Sequence, residues 1–266
     1  MQVLIFDSGP RALRSYDIHD SHDIHEPQLV AISAVLQITT EEESVELRNF
    51  TRPDPKLVEQ YREVAKCYSV SCVFADVQKR GGVMASAIKP IFRGKMVGPA
   101  VTVKLSPGDL QDPLAALHVA QPGDVIVVDA GAETETSVFG GLMGSLFKNR
   151  GVAGAIIEGA CRDTDELRDL QFIVFSRAVT ARGTHTMFSG RKDDVELNVP
   201  VACGGIVVNP GDMIIGDEIG ITVVPSAKIK EVLEAARAQA EREEATRRRI
   251  AEGRTFEQLL EEFGRI

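Results

Sequence analysis

The 266-residue chain is short of cysteine, of positive charge and of long apolar runs, and each shortage excludes something. Its four cysteines, Cys67, Cys72, Cys161 and Cys203, are scattered with no CxxC pair. That spacing argues against a zinc ribbon or a disulfide framework and points to reduced thiols in a cytoplasm. No basic segment leads into a long apolar stretch, and no apolar run reaches the ~18 residues of a membrane span, so neither a signal peptide nor a membrane partner is expected. Lys and Arg total 30 against 39 Asp and Glu, a net charge of -9. This balance argues against a broad nucleic-acid or anionic-membrane surface. There is no GxSxG, no Walker sequence and no GxGxxG after a strand. Internal repeats and low-complexity tracts are absent.

What remains is a chain that is 44% hydrophobic and 26% charged, enough for a substantial core in one domain with appendages. Residues 1–55 read as an N-terminal extension. It has strands at Gln2–Phe6 and Leu29–Ile38 and closes at Pro53-Asp54-Pro55. Within it, His19, His22 and His25 lie among Asp and Glu, a spacing that reads as a solvated polar loop or helix start before it reads as a divalent-metal cluster. The core, 56–225, opens with helical patterns at Leu57–Ala65 and Ser69–Gln78. Short apolar runs follow, of which Val125–Val128 has the β-branched character of a fully buried strand. A polar loop, Asp129–Ser137, comes next. The tail, 226–266, reads as a long charged helix over Ala227–Ala251 and a shorter amphipathic one over Phe256–Phe263. Many short strands without a regular strand–helix alternation predict an α/β fold built as a layered β/β/α sandwich rather than a doubly wound sheet.

Chemistry concentrates between Phe139 and Asp163. Gly140-Gly141 starts a helical run, and a glycine-rich helix start offers free N–H groups at the positive end of the helix dipole, a seat for an anion. Arg162-Asp163 follows a short strand pattern and supplies an oxyanion clamp beside a hard oxygen ligand. The same residues also fit an ordinary helix–strand unit with a surface ion pair.

The order of motifs carries a resemblance. Gly98-Pro99-Ala100-Val101-Thr102-Val103, Pro122-Gly123-Asp124-Val125, Gly151 with Gly154, Gly159-Ala160-Cys161-Arg162-Asp163, Cys203-Gly204-Gly205 and Pro210-Gly211-Asp212 occur in one series. Over roughly Leu57 to Pro225 the chain resembles the metal-dependent class II pyruvate aldolases typified by 4-hydroxy-4-methyl-2-oxoglutarate aldolase. Their fold is shared by the regulator of ribonuclease activity A. The resemblance implies an RraA-like β/β/α swivelling domain that assembles as homotrimers, often paired into hexamers, with the active site at a subunit interface. It implies that Gly140, Gly141, Leu142 and Met143 present N–H groups to a pyruvate carboxylate. Arg162 would stabilise the enolate, and Asp163 would hold Mg²⁺ or Mn²⁺. The expected activity is cleavage of a 4-hydroxy-2-oxo acid or decarboxylation of oxaloacetate, both through a pyruvate enolate. The alternative is a non-catalytic protein-binding regulator.

One departure stands out. The family pattern places an acidic residue 21 positions before the arginine, and here that position is Gly141. Glu133, Glu135, Glu196 and Glu218 are candidates to replace it, although each taken singly reads more readily as a plain loop carboxylate.

Overall fold

A computed structural model describes residues 2–6, 13–17, 45–106, 112–184 and 195–264. His19, His22, His25 and His185, and the strand expected at Leu29–Ile38, lie outside the described residues. The chain divides into two units, Met1–Glu43 and Ser44–Ile266. In the first, β1 (Gln2–Phe6) pairs antiparallel with β2 (Leu13–Asp17).

The second unit starts with β3 (Val45–Leu47), then α1 (Pro55–Val64) and α2 (Val70–Val77). Asp54 caps α1, its carboxylate accepting the Lys56 N–H at 2.9 Å, and Pro55 occupies the first turn, where a missing N–H costs nothing. The sheet strands follow: β4 (Lys89–Pro90), β5 (Met96–Lys104) and, after α3 (Asp112–Ala115), the long β6 (Val125–Phe139). Next come α4 (Gly141–Asn149), β7 (Gly154–Cys161), α5 (Thr164–Asp169) and β8 (Ile173–Val179). Five short strands complete the β-structure: β9 (Val195–Leu197), β10 (Val201–Cys203), β11 (Ile206–Val208), β12 (Met213–Gly216) and β13 (Ile221–Val224). The chain ends in α6 (Ile229–Ala251) and α7 (Phe256–Phe263).

In the main sheet the strands run β13-β12-β5-β6-β7-β8-β4, with β5 through β8 mutually parallel. These central strands are apolar on both faces. Ile126, Val128, Ala155 and Ile157 point to a core closed by Phe147 of α4 and Leu167 of α5. Their neighbours Val125, Val127 and Ile156 point the other way, onto Val201 and Val208 of the short strands. Parallel strands covered on both sides need such continuous apolar runs. The result is the expected layering of helix, sheet and strand. A third cluster joins α1 and α2 to α6, where the Tyr61 hydroxyl donates to the Ile229 carbonyl at 2.8 Å and its ring stacks on Phe74. Burial raises the Tyr61 phenol well above its ordinary range.

Asp129–Ser137, read from sequence as a loop, belongs instead to β6. The segment keeps pairing with β7 through successive register shifts, so that Glu133 lies opposite Gly159 and Ser137 opposite Ala160. Backbone pairing with a buried neighbour overrides the polar side chains there.

Candidate active site

Parallel pairing of β6 and β7 assembles the site. Phe139, the last residue of β6, lies opposite Cys161, the last of β7. The residues just beyond those two strand ends are therefore neighbours, Gly140-Gly141 on one side and Arg162-Asp163 on the other. The Arg162 N–H donates to the Phe139 carbonyl at 2.9 Å and locks the two together. The carboxyl ends of parallel strands are where open α/β sheets bind ligands.

Gly140 caps α4 with extended backbone and no side chain of its own to offer. The cap comes from across the strands: Asp163 Oδ2 accepts the Gly141 N–H at 3.1 Å. Asp163 itself sits in the left-handed region, φ 52°, at the start of α5, a conformation that Asp tolerates better than most residues. A Cβ on Gly140 would lie 2.5 Å from Asp163 Oδ2 and 3.2 Å from Arg162 Cγ, so the close approach requires glycine. Of the four N–H groups expected to receive a carboxylate, that of Gly141 is thus already engaged. Those of Leu142 and Met143 have no partner among the described residues.

The Arg162 guanidinium is half-exposed and has two near neighbours. Its Nε is 3.5 Å from Asp163 Oδ2, and Nη1 lies so close to Gly183 that a Cβ there would approach to 2.6 Å. Gly183 bridges to Ser137, whose N–H donates to the Arg182 carbonyl at 2.8 Å. Two hydroxyl oxygens in this wall, Ser137 Oγ and Thr184 Oγ1, are buried with no hydrogen-bond partner among the described residues. Neither was singled out in the sequence, and no local pattern marks them.

The candidate carboxylates are placed differently. Glu133 folds onto its own turn, accepting the N–H groups of Glu135 and Thr136 at 2.6 and 3.2 Å, while Glu135 is exposed. Glu196 pairs with Lys104 and raises that ammonium's pKa, and Glu218 pairs with Arg93 at 3.1 Å. The buried Glu158 is taken by Arg177 and by the Gly204 N–H. One acid was missed: Glu166, in the first turn of α5, whose carboxylate reaches the start of α4. Its position one turn after Asp163 was the available signal.

Among the described residues no group of three or more His, Cys, Asp and Glu converges as a ready-made cation cage. A Mg²⁺ that keeps several waters needs only one or two carboxylates. Asp163 fits that donor set, because its side chain is 40% exposed and its Oδ1 accepts no hydrogen bond among the described residues. Cysteine chemistry does not fit. Cys161 and Cys203 are buried, and burial pushes both thiols up, with the Glu158 carboxylate adding to the rise at Cys203. A disulfide reagent at neutral pH is expected to label exposed Cys72 first and half-buried Cys67 more slowly. Cys161 and Cys203 should react only after denaturation, as peptide mass mapping would show.

Among the described residues no helix is long and apolar enough to cross a membrane. Residues 55–223 match the family model described as RraA-like, Aldolase/RraA. A protein of Halalkalibacterium halodurans provisionally named 4-hydroxy-4-methyl-2-oxoglutarate aldolase is 36% identical over 170 residues, 64% of this chain and 79% of that protein. A Deinococcus radiodurans protein with the same provisional name is 33% identical over 153 residues, 56% of this chain and 91% of its own. Among solved structures, Streptomyces coelicolor RraAS2, titled an unusual member of the RNase ES inhibitor RraA protein family, superposes with a TM-score of 0.61. It is 29% identical, with 75% of this chain and 99% of that one covered.

Proposed function

The chain belongs to the RraA-like family, and from that premise we propose that it is a divalent-metal-dependent lyase acting on a small 2-oxo acid. The observation that carries this reading is the constellation at the β6 and β7 ends. A half-exposed carboxylate, the guanidinium beside it and two helix N–H groups with no partner among the described residues lie at these adjoining strand ends.

Mg²⁺ or Mn²⁺ held by Asp163 would supply Lewis-acid charge to the 2-oxo group. The remaining work falls to the chain. The N–H groups of Leu142 and Met143, at the positive end of α4, receive the substrate carboxylate and fix its orientation. Arg162 donates to the 2-oxo oxygen, where negative charge grows as the bond between C3 and C4 breaks and a pyruvate enolate forms. Its Nε near Asp163 and its Nη1 against Gly183 favour a guanidinium oriented beforehand, which would lessen reorganisation at the transition state. Aldol cleavage of a 4-hydroxy-2-oxo acid and decarboxylation of oxaloacetate share this enolate, and both are included in the proposal. The test is a screen of 2-oxo acids with Mg²⁺ or Mn²⁺ and pyruvate detection. No pyruvate from any of them would overturn the reading.

The proposal extends to assembly and place. A homotrimer or hexamer with the site at a subunit interface is supported by Leu142 and Leu146, which project from the helix that opens the site and are 79% and 48% exposed. Sedimentation velocity would show a single monomer if this is wrong. Four free thiols support a cytoplasmic setting. The likeness to RraAS2 favours one other reading, a non-catalytic regulator. It predicts a partner-protein complex indifferent to substitution of Arg162 and Asp163, which a pull-down with the double variant decides.

A further inference from the structure

The enolate that the proposed reaction forms must receive a proton at C3, and aldol cleavage must also remove one from the 4-hydroxyl. Arg162 cannot serve, since guanidinium stays protonated. Asp163 Oδ2 is held by the Gly141 N–H, and its other oxygen is the one that fits a cation. Glu133, Glu158, Glu196 and Glu218 are each engaged elsewhere.

Glu166 is different. Its carboxylate makes no hydrogen bond or ion pair among the described residues. An ideal Cβ on Gly141 would fall 2.0 Å from Glu166 Oε2 and 2.2 Å from its Cδ. The carboxylate therefore fills the volume that a side chain at position 141 would occupy, against the first turn of α4 and beside the residue that Asp163 caps. The packing that delivers it is specific. Gly144, one turn further along α4, has Leu167 Cδ2 at 2.3 Å from where its Cβ would be, so glycines at 141 and 144 clear one face of α4 for Glu166 and Leu167.

We propose that Glu166 is the acid–base residue of this site, an inference that rests on the lyase reading. In decarboxylation the C3–C4 bond breaks, CO₂ leaves and its electron pair enters the C2–C3 enolate. The Glu166 carboxyl then gives its proton to C3, and water restores that proton. In aldol cleavage the Glu166 carboxylate takes the 4-hydroxyl proton as C3–C4 breaks. The carbonyl product departs, and the same proton passes to C3, leaving the carboxylate as it began. Gly141 is then not a missing acid. It is the space into which an acid from the next helix is placed.

The test is exchange of the pyruvate methyl protons in ²H₂O, followed by proton NMR with full-length protein and Mg²⁺ or Mn²⁺, beside pyruvate release from oxaloacetate and pyruvate binding by calorimetry. Glu166→Gln is expected to slow exchange and release by about 10²-fold or more while pyruvate affinity changes less than about threefold. Gly141→Asp alone collides with Glu166 and should be equally slow. Combined with Glu166→Ala it returns a carboxylate to the same volume and should recover at least about tenfold over Glu166→Ala. If Glu166→Gln exchanges at the wild-type rate, or loses affinity in step with rate, the assignment is overturned and the lyase reading survives. If the wild-type protein neither exchanges nor releases pyruvate, both fall.

Discussion

Arg162→Met is expected to lower pyruvate release by about 10³-fold, nearly all of it in kcat. Removing a single neutral oxyanion donor costs about 10²–10³ in rate, and in the proposed mechanism a full positive charge would leave the place where the enolate oxygen becomes negative. In the proposed mechanism the loss appears in kcat, because the interaction strengthens only as charge develops, while the carboxylate seat assigned to α4 would still bind substrate. Arg162→Lys should recover little. The guanidinium is positioned by Nε near Asp163 and Nη1 against Gly183, a two-point geometry that an ammonium cannot reproduce. Stability should hardly move, because the Arg162–Asp163 pair is about 40% exposed on both sides and pairs of that kind contribute about 0–1 kcal/mol. Steady-state kinetics with thermal melts on the same preparations check both halves. Activity within threefold of wild type would remove Arg162 from the mechanism.

Gly98→Ala is expected to be the most destabilising methyl that can be added to the central sheet. A Cβ on Gly98 would lie 2.0 Å from the Gly123 carbonyl oxygen, a backbone atom, and 3.3 Å from Val125 Cγ2. Gly123 cannot retreat easily. Its N–H donates to Gly151 at 2.8 Å, and the next residue, Asp124, is buried and held by Arg52 at 2.8 Å and by the Gln121 N–H. Overpacking against a fixed neighbour costs about 3 kcal/mol, the upper part of its range. For a unit of this size that corresponds to a fall of roughly 6–12 °C in Tm. Gly220→Ala is the control, since nothing lies within 4 Å of its Cβ position, and it should melt within about 2 °C of wild type. Equal melting of the two variants would show that the Gly98–Gly123 contact is relieved at no cost.

Much of this was legible in the sequence because it depends on neighbours along the chain. The Val125–Val128 run becomes the opening of β6, buried on both faces. Ile221–Val224 and Phe256–Phe263 are found with the bounds their patterns give. The second of these is fixed by a Thr255–Gln258 capping box that the local sequence encodes. Gly140-Gly141 and Arg162-Asp163 were legible as separate motifs, and their meeting follows once β6 and β7 are known to pair in parallel.

What could not be read depends on tertiary approach. Residues 129–137 are polar and read as a loop, yet they continue β6 because β7 offers them a partner backbone. Gly183 sits against Arg162 across 21 residues of chain, and nothing about a lone glycine announces that. Position 141 is the sharpest case. The family pattern makes its glycine look like a loss, and only the packing of α5 on α4 shows a carboxylate filling the space.

In the proposed mechanism Asp163 holds a divalent cation where an enolate forms. Pyruvate release from oxaloacetate by the full chain, with Mg²⁺ or Mn²⁺ and then with excess EDTA, measures it most directly when Asp163→Asn is run alongside. The expected result is release that EDTA abolishes, that added metal restores, and that Asp163→Asn, a change of nearly equal volume, reduces by at least about 10³-fold. Release that survives both the chelator and the substitution would contradict it.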